Sequence, residues 1–483
     1  MEDKKIKFGT DGWRGIISDD FTMERVRIVT LGVCNYLKKK IEGRIPLVAI
    51  GYDTRFMSGH FAQAAADIFG SNGIKVLLST GITPTPTLST AVVKKGADLG
   101  IMITASHNPY YYNGYKIKAP FGGSATMDII DEIEAEVEEV NSSYKRSGIP
   151  AGVGGSVSGN IIRTSFTDEY IEHALGQVDA DVLKGFGLRL LFEPMYGASQ
   201  EIFRKILSSF DPKNITEIHA EINPGFGKLN PEPIGDNLNE AIDALKENNC
   251  QFGICLDGDG DRIGALGEEG NYISSHHIFA MVLRDLAQRR KLKGRVIKTV
   301  TTSSIIDRIC ARFGLELETT PVGFKYIGEK IIEGGVIMGG EESGGLWSYG
   351  NIPERDGMIM GLRLLEIICR EKKTPNQILE DIYGEFGYFD FQRTDYEINM
   401  EQKKKLVSLL ESGTPAVLKD AGAGEAVTID GYKYQIDESS WVMIRPSGTE
   451  AVVRIYSEGE SSEKSAYLQG LGKKIMDGAV TGS

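Results

Sequence analysis

The run Leu256-Asp257-Gly258-Asp259-Gly260-Asp261-Arg262 places three carboxylates at every second position, with glycine between neighbours and an arginine at its end. Hard divalent cations such as Mg²⁺ or Ca²⁺ take oxygen ligands that converge on one point. Carboxylates this close repel one another and tend to hold protons unless a cation sits among them. The run is therefore a candidate metal loop, and Arg262 points to an anion as the other partner. An acidic, glycine-rich surface turn is the plainer alternative. An EF-hand fits only in part: Asp257, Asp259, Asp261 and Glu268 fall at positions 1, 3, 5 and 12, but the glycine needed at position 6 is Arg262. The flank Gln251–Leu256 is also a short apolar run of strand length, not a helix.

Four other stretches carry chemistry. Thr104-Ala105-Ser106-His107-Asn108-Pro109 offers a hydroxyl as nucleophile or phosphoryl carrier, with His107 beside it and Lys116 downstream in Asn113-Gly114-Tyr115-Lys116. No GxSxG elbow surrounds Ser106, so a hydrolase of that kind has no support. A hydroxyl near a bound metal suits phosphoryl transfer, where catalysis is mainly positioning and charge neutralisation. Gly9-Thr10-Asp11-Gly12-Trp13-Arg14-Gly15 is a glycine-rich turn that presents Arg14. Gly340-Glu341-Glu342-Ser343-Gly344-Gly345 sets carboxylates and a hydroxyl between glycines, which suits vicinal sugar hydroxyls. Arg445-Pro446-Ser447-Gly448-Thr449-Glu450, with Arg454 beyond it, gathers an arginine fork, hydroxyls and backbone N–H groups, the donors an anionic phosphate needs. Each stretch alone also reads as an ordinary turn.

The elements that must hold these loops follow one rhythm of apolar strand, polar turn and amphipathic helix. It runs through Pro46–Tyr52 then Ser58–Gly70, Leu188–Phe192 then Ser199–Phe210, and Arg295–Val300 then Ser303–Phe313, closed by Gly314. Strands alternating with helices predict largely parallel sheets in βα units. The strand-like Asp98–Ile103 leads straight into Ser106, at the carboxyl end where open α/β sheets place ligands. The Gly/Ser-rich stretch Asn141–Asn160 follows an acidic helix, Met127–Val140, and predicts a linker. A further boundary is expected near Asp257, and another around Lys372–Phe386. The expected division is 1–150, 151–256, 257–375 with the metal loop at its start, and a distinct 376–483 α+β tail.

At 483 residues the chain exceeds what one hydrophobic core supports. Apolar content of 41% and charged content of 25% are ordinary for a globular protein. A formal net charge of −13 argues against nucleic acid or an anionic membrane as partner. An anionic small substrate would then depend on local arginines. No signal-peptide-like or membrane-spanning apolar run occurs. Five cysteines without CxxC spacing suit reduced thiols in the cytoplasm and argue against structural zinc. No Walker loop and no GxGxxG after a strand supports nucleotide binding.

Taken together and in order, GTDGWRG, TASHNP with NGYK, DGDGDR, GEESGG and RPSGTE resemble the signatures of the α-D-phosphohexomutase superfamily. Asn230-Pro231-Glu232-Pro233 and Thr320-Pro321-Val322-Gly323-Phe324-Lys325 look like its second- and third-domain signatures. The resemblance implies three related α/β domains and a C-terminal α+β phosphate-binding domain around a central cleft. It implies Ser106 as the phosphoserine, with Asp257, Asp259, Asp261 and a phosphoserine oxygen holding Mg²⁺. Arg14, His107, Lys116 and Arg262 would surround the transferring phosphoryl, Lys116 acting as general acid/base. Glu341, Ser343, Gly323 and Lys325 would meet the sugar, and Arg445, Ser447, Gly448, Thr449 and Arg454 the non-reacting phosphate. The implied reaction interconverts hexose 1- and 6-phosphates through a glucose 1,6-bisphosphate-type intermediate, with no partner beyond the small sugar phosphate and with oligomeric state open.

One departure bears on the sugar. Mannose/glucose and glucosamine branches often read GE-x-SGH, whereas Gly345 stands here in the histidine's place. GEESGG followed by Pro353-Glu354-Arg355-Asp356-Gly357 looks more like glucose-preferring or phosphopentomutase-like branches, and Arg355 is expected to bring the missing positive charge to substrate. Mannose, glucosamine or pentose phosphates remain alternatives, as does a non-catalytic phosphosugar binder. Intact Ser106, Lys116 and aspartates argue against the binder.

Overall fold

The computed structural model describes residues 5–9, 11–147, 160–184, 187–210, 214–447 and 451–481. Four sheets succeed one another along the chain. The first holds β1 (Trp13–Ile16), β2 (Leu47–Tyr52), β3 (Lys75–Ser79), β4 (Leu99–Ile103), β5 (Tyr112–Lys118) and β6 (Ile161–Thr164) in the order β1-β5-β4-β2-β3-β6. The second holds β7 (Leu190–Glu193), β8 (Ile215–Glu217), β9 (Phe252–Leu256), β10 (Ile263–Leu266) and β11 (Tyr272–Ile273) in the order β11-β10-β9-β7-β8. The third holds β12 (Arg295–Thr299), β13 (Glu316–Thr320), β14 (Val336–Gly340) and β15 (Leu346–Ser348), ordered β13-β12-β14-β15. In each, a parallel centre carries an antiparallel edge, as the strand–helix rhythm predicts.

The fourth sheet is antiparallel throughout: β16 (Asp390–Glu397), β17 (Tyr432–Gln435), β18 (Trp441–Pro446) and β19 (Val452–Gly459), ordered β16-β19-β18-β17. Helices Met400–Glu411 and Ser462–Thr481 pack with it around Leu406, Leu410, Ile444, Ile455 and Leu468. The architecture is thus three α/β domains and a C-terminal α+β domain.

The expected boundaries shift. The Asp257–Arg262 run is the turn of the β9–β10 hairpin, with Leu256 opposite Ile263. A boundary at 257 would cut one sheet, so the second domain runs on through β11 and keeps the metal loop. Strand β6 pairs parallel with β3, which carries the first sheet past the expected limit at 150. Most of the expected linker, 148–159, lies outside the described residues. The third domain extends beyond 375: helix Pro375–Phe386, started by a Thr374/Gln377 capping box, buries Ile378, Ile382 and Phe386 in its core.

The second and third domains share one hydrophobic core. Helix Gly357–Glu371 joins them, its N-terminus capped by Asp356, which accepts from the Ile359 N–H at 2.9 Å. Gly361 on this helix packs against Ile254 and Phe203 of the second domain. The first domain has its own core, built on Phe21, Phe61, Phe69 and Ile101. Carboxyl-end loops of separate sheets therefore meet on rigid supports.

Candidate active site

Ser106 leaves the end of β4 with φ +52°, a left-handed conformation that costs a non-glycine residue free energy and persists only when its surroundings enforce it. Arg55 is what enforces it. Its buried guanidinium donates to four carbonyl oxygens of the loop: Ser106 (2.5 Å), Asn108 (2.6 Å), Pro109 (2.9 Å) and Tyr112 (3.1 Å). Asp53 lies 3.1 Å from Arg55 Nε and accepts from Thr104 Oγ1 at 2.6 Å, and Thr104 Oγ1 in turn accepts from the Ser106 N–H at 2.9 Å. Neither Asp53 nor Arg55 was marked by any local motif.

The buried Ser106 hydroxyl donates to Asp257 Oδ2 across the domain seam at 2.8 Å. Gly258 permits the approach: a Cβ there would stand 2.5 Å from the Ser106 carbonyl oxygen. Asp257, Asp259 and Asp261 are wholly buried, and one carboxylate oxygen from each lies within 4.8 Å of the others. Asp259 Oδ1 and Asp261 Oδ1 are buried with no hydrogen-bond partner among the described residues. Two orphaned carboxylate oxygens in an all-oxygen donor set fit a hard divalent cation, because buried anionic oxygens otherwise carry a desolvation cost of several kcal/mol. Burial and the two neighbouring aspartates push the Asp257 carboxyl well up, against the pull of Arg262.

Cations ring the triad. Lys116 on β5 is buried, with Nζ 2.7 Å from Asp11, 2.8 Å from Asp259 and 3.3 Å from Asp261. Burial works against its charge, but these three carboxylates outweigh it and hold Lys116 as an ammonium. Arg355 Nη2 lies 2.6 Å from Asp261 and 2.7 Å from Asp11, and Nη1 3.3 Å from Glu341. Arg14 Nη1 donates to Asn108 Oδ1 at 2.5 Å. Arg262 reaches Glu232 at 3.3 Å, and its buried Nε has no acceptor among the described residues. His107 Nδ1 is 3.4 Å from Ser106 Oγ, and burial with Arg262, Arg14 and Lys116 nearby keeps its ring neutral. Asp11 gathers Lys116, Arg355 and Arg14 at one carboxylate, a role its glycine-turn setting did not announce.

The third domain closes one side. The Arg262↔Gly345 bridge lays the GEESGG loop along the metal loop, and Ile263 N donates to the Gly344 carbonyl at 3.1 Å. Glu341 is buried and bonded to Ser343, and its carboxyl is raised by burial against the pull of Arg355. Gly323 caps helix Phe324–Glu333. Lys325 does not join this cluster: its Nζ donates to Met127 Sδ at 3.1 Å, at a seam with the first domain lined by Phe121 and Pro353. In the fourth domain Arg445 on β18 faces Arg454 on β19, whose Nε donates to Asp395 at 3.1 Å. Ser447 is buried beside them, while Gly448 and Thr449 lie outside the described residues. Among the described residues no helix is long and apolar enough to cross a membrane.

Models of the phosphoglucomutase/phosphomannomutase family match the chain in sequence order: alpha/beta/alpha domain I over 5–143, domain II over 168–270, domain III over 274–386 and the C-terminal domain over 397–470. A phosphoglucomutase/phosphomannomutase of Thermococcus kodakarensis is 30% identical over 477 residues, covering 98% of this chain and 99% of its own. A phosphoglucosamine mutase of Caldanaerobacter subterraneus is 29% identical over 475 residues, 97% of this chain and 98% of its own. A solved Thermus thermophilus chain described as a phosphomannomutase superposes with a TM-score of 0.84 at 30% identity, covering 98% of this chain and all of that one.

Proposed function

This chain belongs to the phosphoglucomutase/phosphomannomutase family, a family of mutase-type isomerases, and from that premise we propose that it interconverts glucose 1-phosphate and glucose 6-phosphate through phosphoserine 106. The observation that carries the reading is the 2.8 Å contact between Ser106 Oγ and Asp257, which sets the phosphoryl carrier of one domain against the carboxylate triad of the next.

In the proposed cycle the Ser106 Oγ–P bond breaks as a sugar hydroxyl forms a new P–O bond, giving a 1,6-bisphosphate. The intermediate turns over in the cleft, and its other phosphate passes to Ser106, regenerating the phosphoenzyme. Asp257, Asp259 and Asp261 would hold Mg²⁺, which supplies charge neutralisation to the migrating phosphoryl. Arg14 and Arg262 present donors to its equatorial oxygens, while Lys116 gives its proton to the leaving Ser106 oxygen and takes one back from the attacking sugar hydroxyl, so each transfer returns it to the ammonium form. A loose phosphoryl-transfer transition state needs little base catalysis, so an ammonium at this position is no obstacle. Glu341 and Ser343 grip sugar hydroxyls while Arg445, Ser447 and Arg454 hold the phosphate that does not react. Glucose 1,6-bisphosphate would prime an unphosphorylated chain. Gly345 with Arg355, in place of a histidine, supports glucose over mannose or glucosamine, and fits a pentose phosphate as well. Five unpaired cysteines support a reducing, cytoplasmic setting.

The test assays glucose, mannose, glucosamine and ribose 1-phosphates side by side with Mg²⁺ and glucose 1,6-bisphosphate, and records the intact mass of the chain. Fastest turnover on glucose 1-phosphate, with one stable phosphate that Ser106→Ala removes, is expected. Faster turnover of another sugar overturns the glucose assignment, and full activity in Ser106→Ala overturns the carrier.

A further inference from the structure

Asp430 lies just before β17, outside every motif described above. Its Oδ2 accepts from the Val322 N–H of the third domain at 3.0 Å and stands 3.0 Å from Arg445 Nη2. One carboxylate oxygen thus joins the phosphate arginine of the fourth domain to the Pro321-Val322-Gly323 loop from which helix Phe324–Glu333 starts. The backbone is built for this closeness. Gly431 has φ +109°, and a Cβ there would lie 3.1 Å from Arg445 Cα and Cβ.

Two further polar contacts join the same domains. Lys433 Nζ donates to the Val300 carbonyl at 2.9 Å and lies 3.7 Å from the centre of the Trp441 ring, and Glu458 accepts from the Ser304 N–H at 3.0 Å. Neither of these touches Arg445. Asp430 does both jobs with one atom.

We propose that Asp430 is a positioning residue that makes the grip of Arg445 on the substrate's non-reacting phosphate and the docking of the C-terminal domain on the 321–323 loop one event. The proposal rests on the reading of Arg445 as a phosphate ligand. Because the Asp430 carboxylate is 28% exposed, its pair with Arg445 contributes little to folding. Its effect belongs to binding: a fork held in one geometry loses less freedom when a phosphate arrives.

The test is a double-mutant cycle on the full chain, with steady-state kinetics on glucose 1-phosphate and a melting curve for each variant. Asp430→Ala is expected to raise KM about 10-fold, the scale of one charge-assisted hydrogen bond, with kcat within about 3-fold and melting unchanged. Asp430→Asn, which keeps an acceptor for the Val322 N–H, should fall between it and the parent. Arg445→Ala should raise KM further, and the double variant should be no worse than Arg445→Ala alone. An unchanged KM in Asp430→Ala with a raised KM in Arg445→Ala overturns the positioning role and spares the phosphate reading. Additive effects in the double variant overturn it as well. An unchanged KM in Arg445→Ala removes the phosphate reading and this inference with it.

Discussion

The Arg355 side chain fills the space that a side chain on Gly345 would need: a Cβ built there runs into Arg355 Cδ and comes within 2.9 Å of Glu341 Oε1. From that space the Arg355 guanidinium reaches Asp11, Asp261 and Glu341, one acidic group from the first domain, one from the second and one from the third. Glycine and arginine therefore act as a pair, the first making room for the second.

The pair predicts a graded loss of turnover. Gly345→His places an imidazole where Arg355 lies and should lower kcat/KM by roughly 100-fold, the scale of one misplaced charged donor at a phosphoryl-transfer site. Arg355→Ala should cost as much or more, and Arg355→Lys should recover little, because a lysine lacks the second nitrogen by which the guanidinium reaches Glu341 while the first holds Asp11 and Asp261. Steady-state kinetics on glucose 1-phosphate decides it. Unchanged turnover in Arg355→Ala removes Arg355 from the active cluster.

Cation binding should stabilise as well as activate. Three buried carboxylates repel one another; Lys116 and Arg355 offset part of this, and a cation that binds only the folded chain would offset more. After dialysis against a chelator, Mg²⁺ at about 100 times its dissociation constant should add about 2.7 kcal/mol of stability and restore turnover. Asp261→Asn should lose most of that thermal shift while the chain stays folded, since it removes one of the repelling charges. A melting temperature indifferent to Mg²⁺ in the parent chain would count against the cation site.

Arg55 supports the loop through backbone alone, so its loss should disable the loop without touching substrate. Arg55→Ala leaves four carbonyl oxygens without their donor and the buried Asp53 carboxylate without its cation. Breaking one buried ion pair costs about 3–5 kcal/mol. Arg55→Lys should restore part of the stability and little of the rate, because one ammonium cannot reach every carbonyl and Ser106 would relax from its left-handed conformation. Paired melting curves and phosphate incorporation at Ser106 separate the two effects. Full incorporation in Arg55→Lys would show that the loop holds itself.

The residues legible in the sequence are those whose chemistry is local. Asp257, Asp259 and Asp261 announce themselves by spacing, and Ser106 by its place after an apolar run. Asp11, Arg55 and Asp430 stayed hidden because what defines them lies far away in the chain. Arg55 meets Asn108 and Arg355 meets Asp11 only once the sheets have formed. The boundary expected at Asp257 failed for a related reason. Strand β10 is only four residues long and its pairing with β9, which makes the metal loop a hairpin turn, is a register that periodicity does not reveal. Strand β6 is invisible as part of the first sheet because it returns to β3 from beyond the linker.

Acid should weaken the contact between the third and fourth domains. His276 and His277 begin helix Ser275–Arg284 and face Phe389 and Phe391 of the C-terminal side. Burial pulls the His276 imidazole down to about 3, with His277, Lys298 and Lys433 adding to it, and pulls His277 down to about 4 against the opposing charge of Asp390. Both rings are lone-pair acceptors, His276 for the Ser303 N–H at 3.2 Å and His277 for the Ser274 N–H at 3.1 Å. An unfolded histidine takes its proton near 6.5. Between pH 6.5 and pH 4 the unfolded chain therefore binds protons that the folded chain refuses, and stability falls as pH falls, by about 1.4 kcal/mol per pH unit for each ring. Above pH 6.5 the two rings contribute no slope. His276→Asn and His277→Asn each keep an acceptor near the Nδ1 position and remove the titrating ring. Each should flatten the melting-temperature profile between pH 6.5 and pH 4.5, and the double variant should flatten it most. Profiles parallel to the parent chain's would mean that the acid sensitivity arises elsewhere.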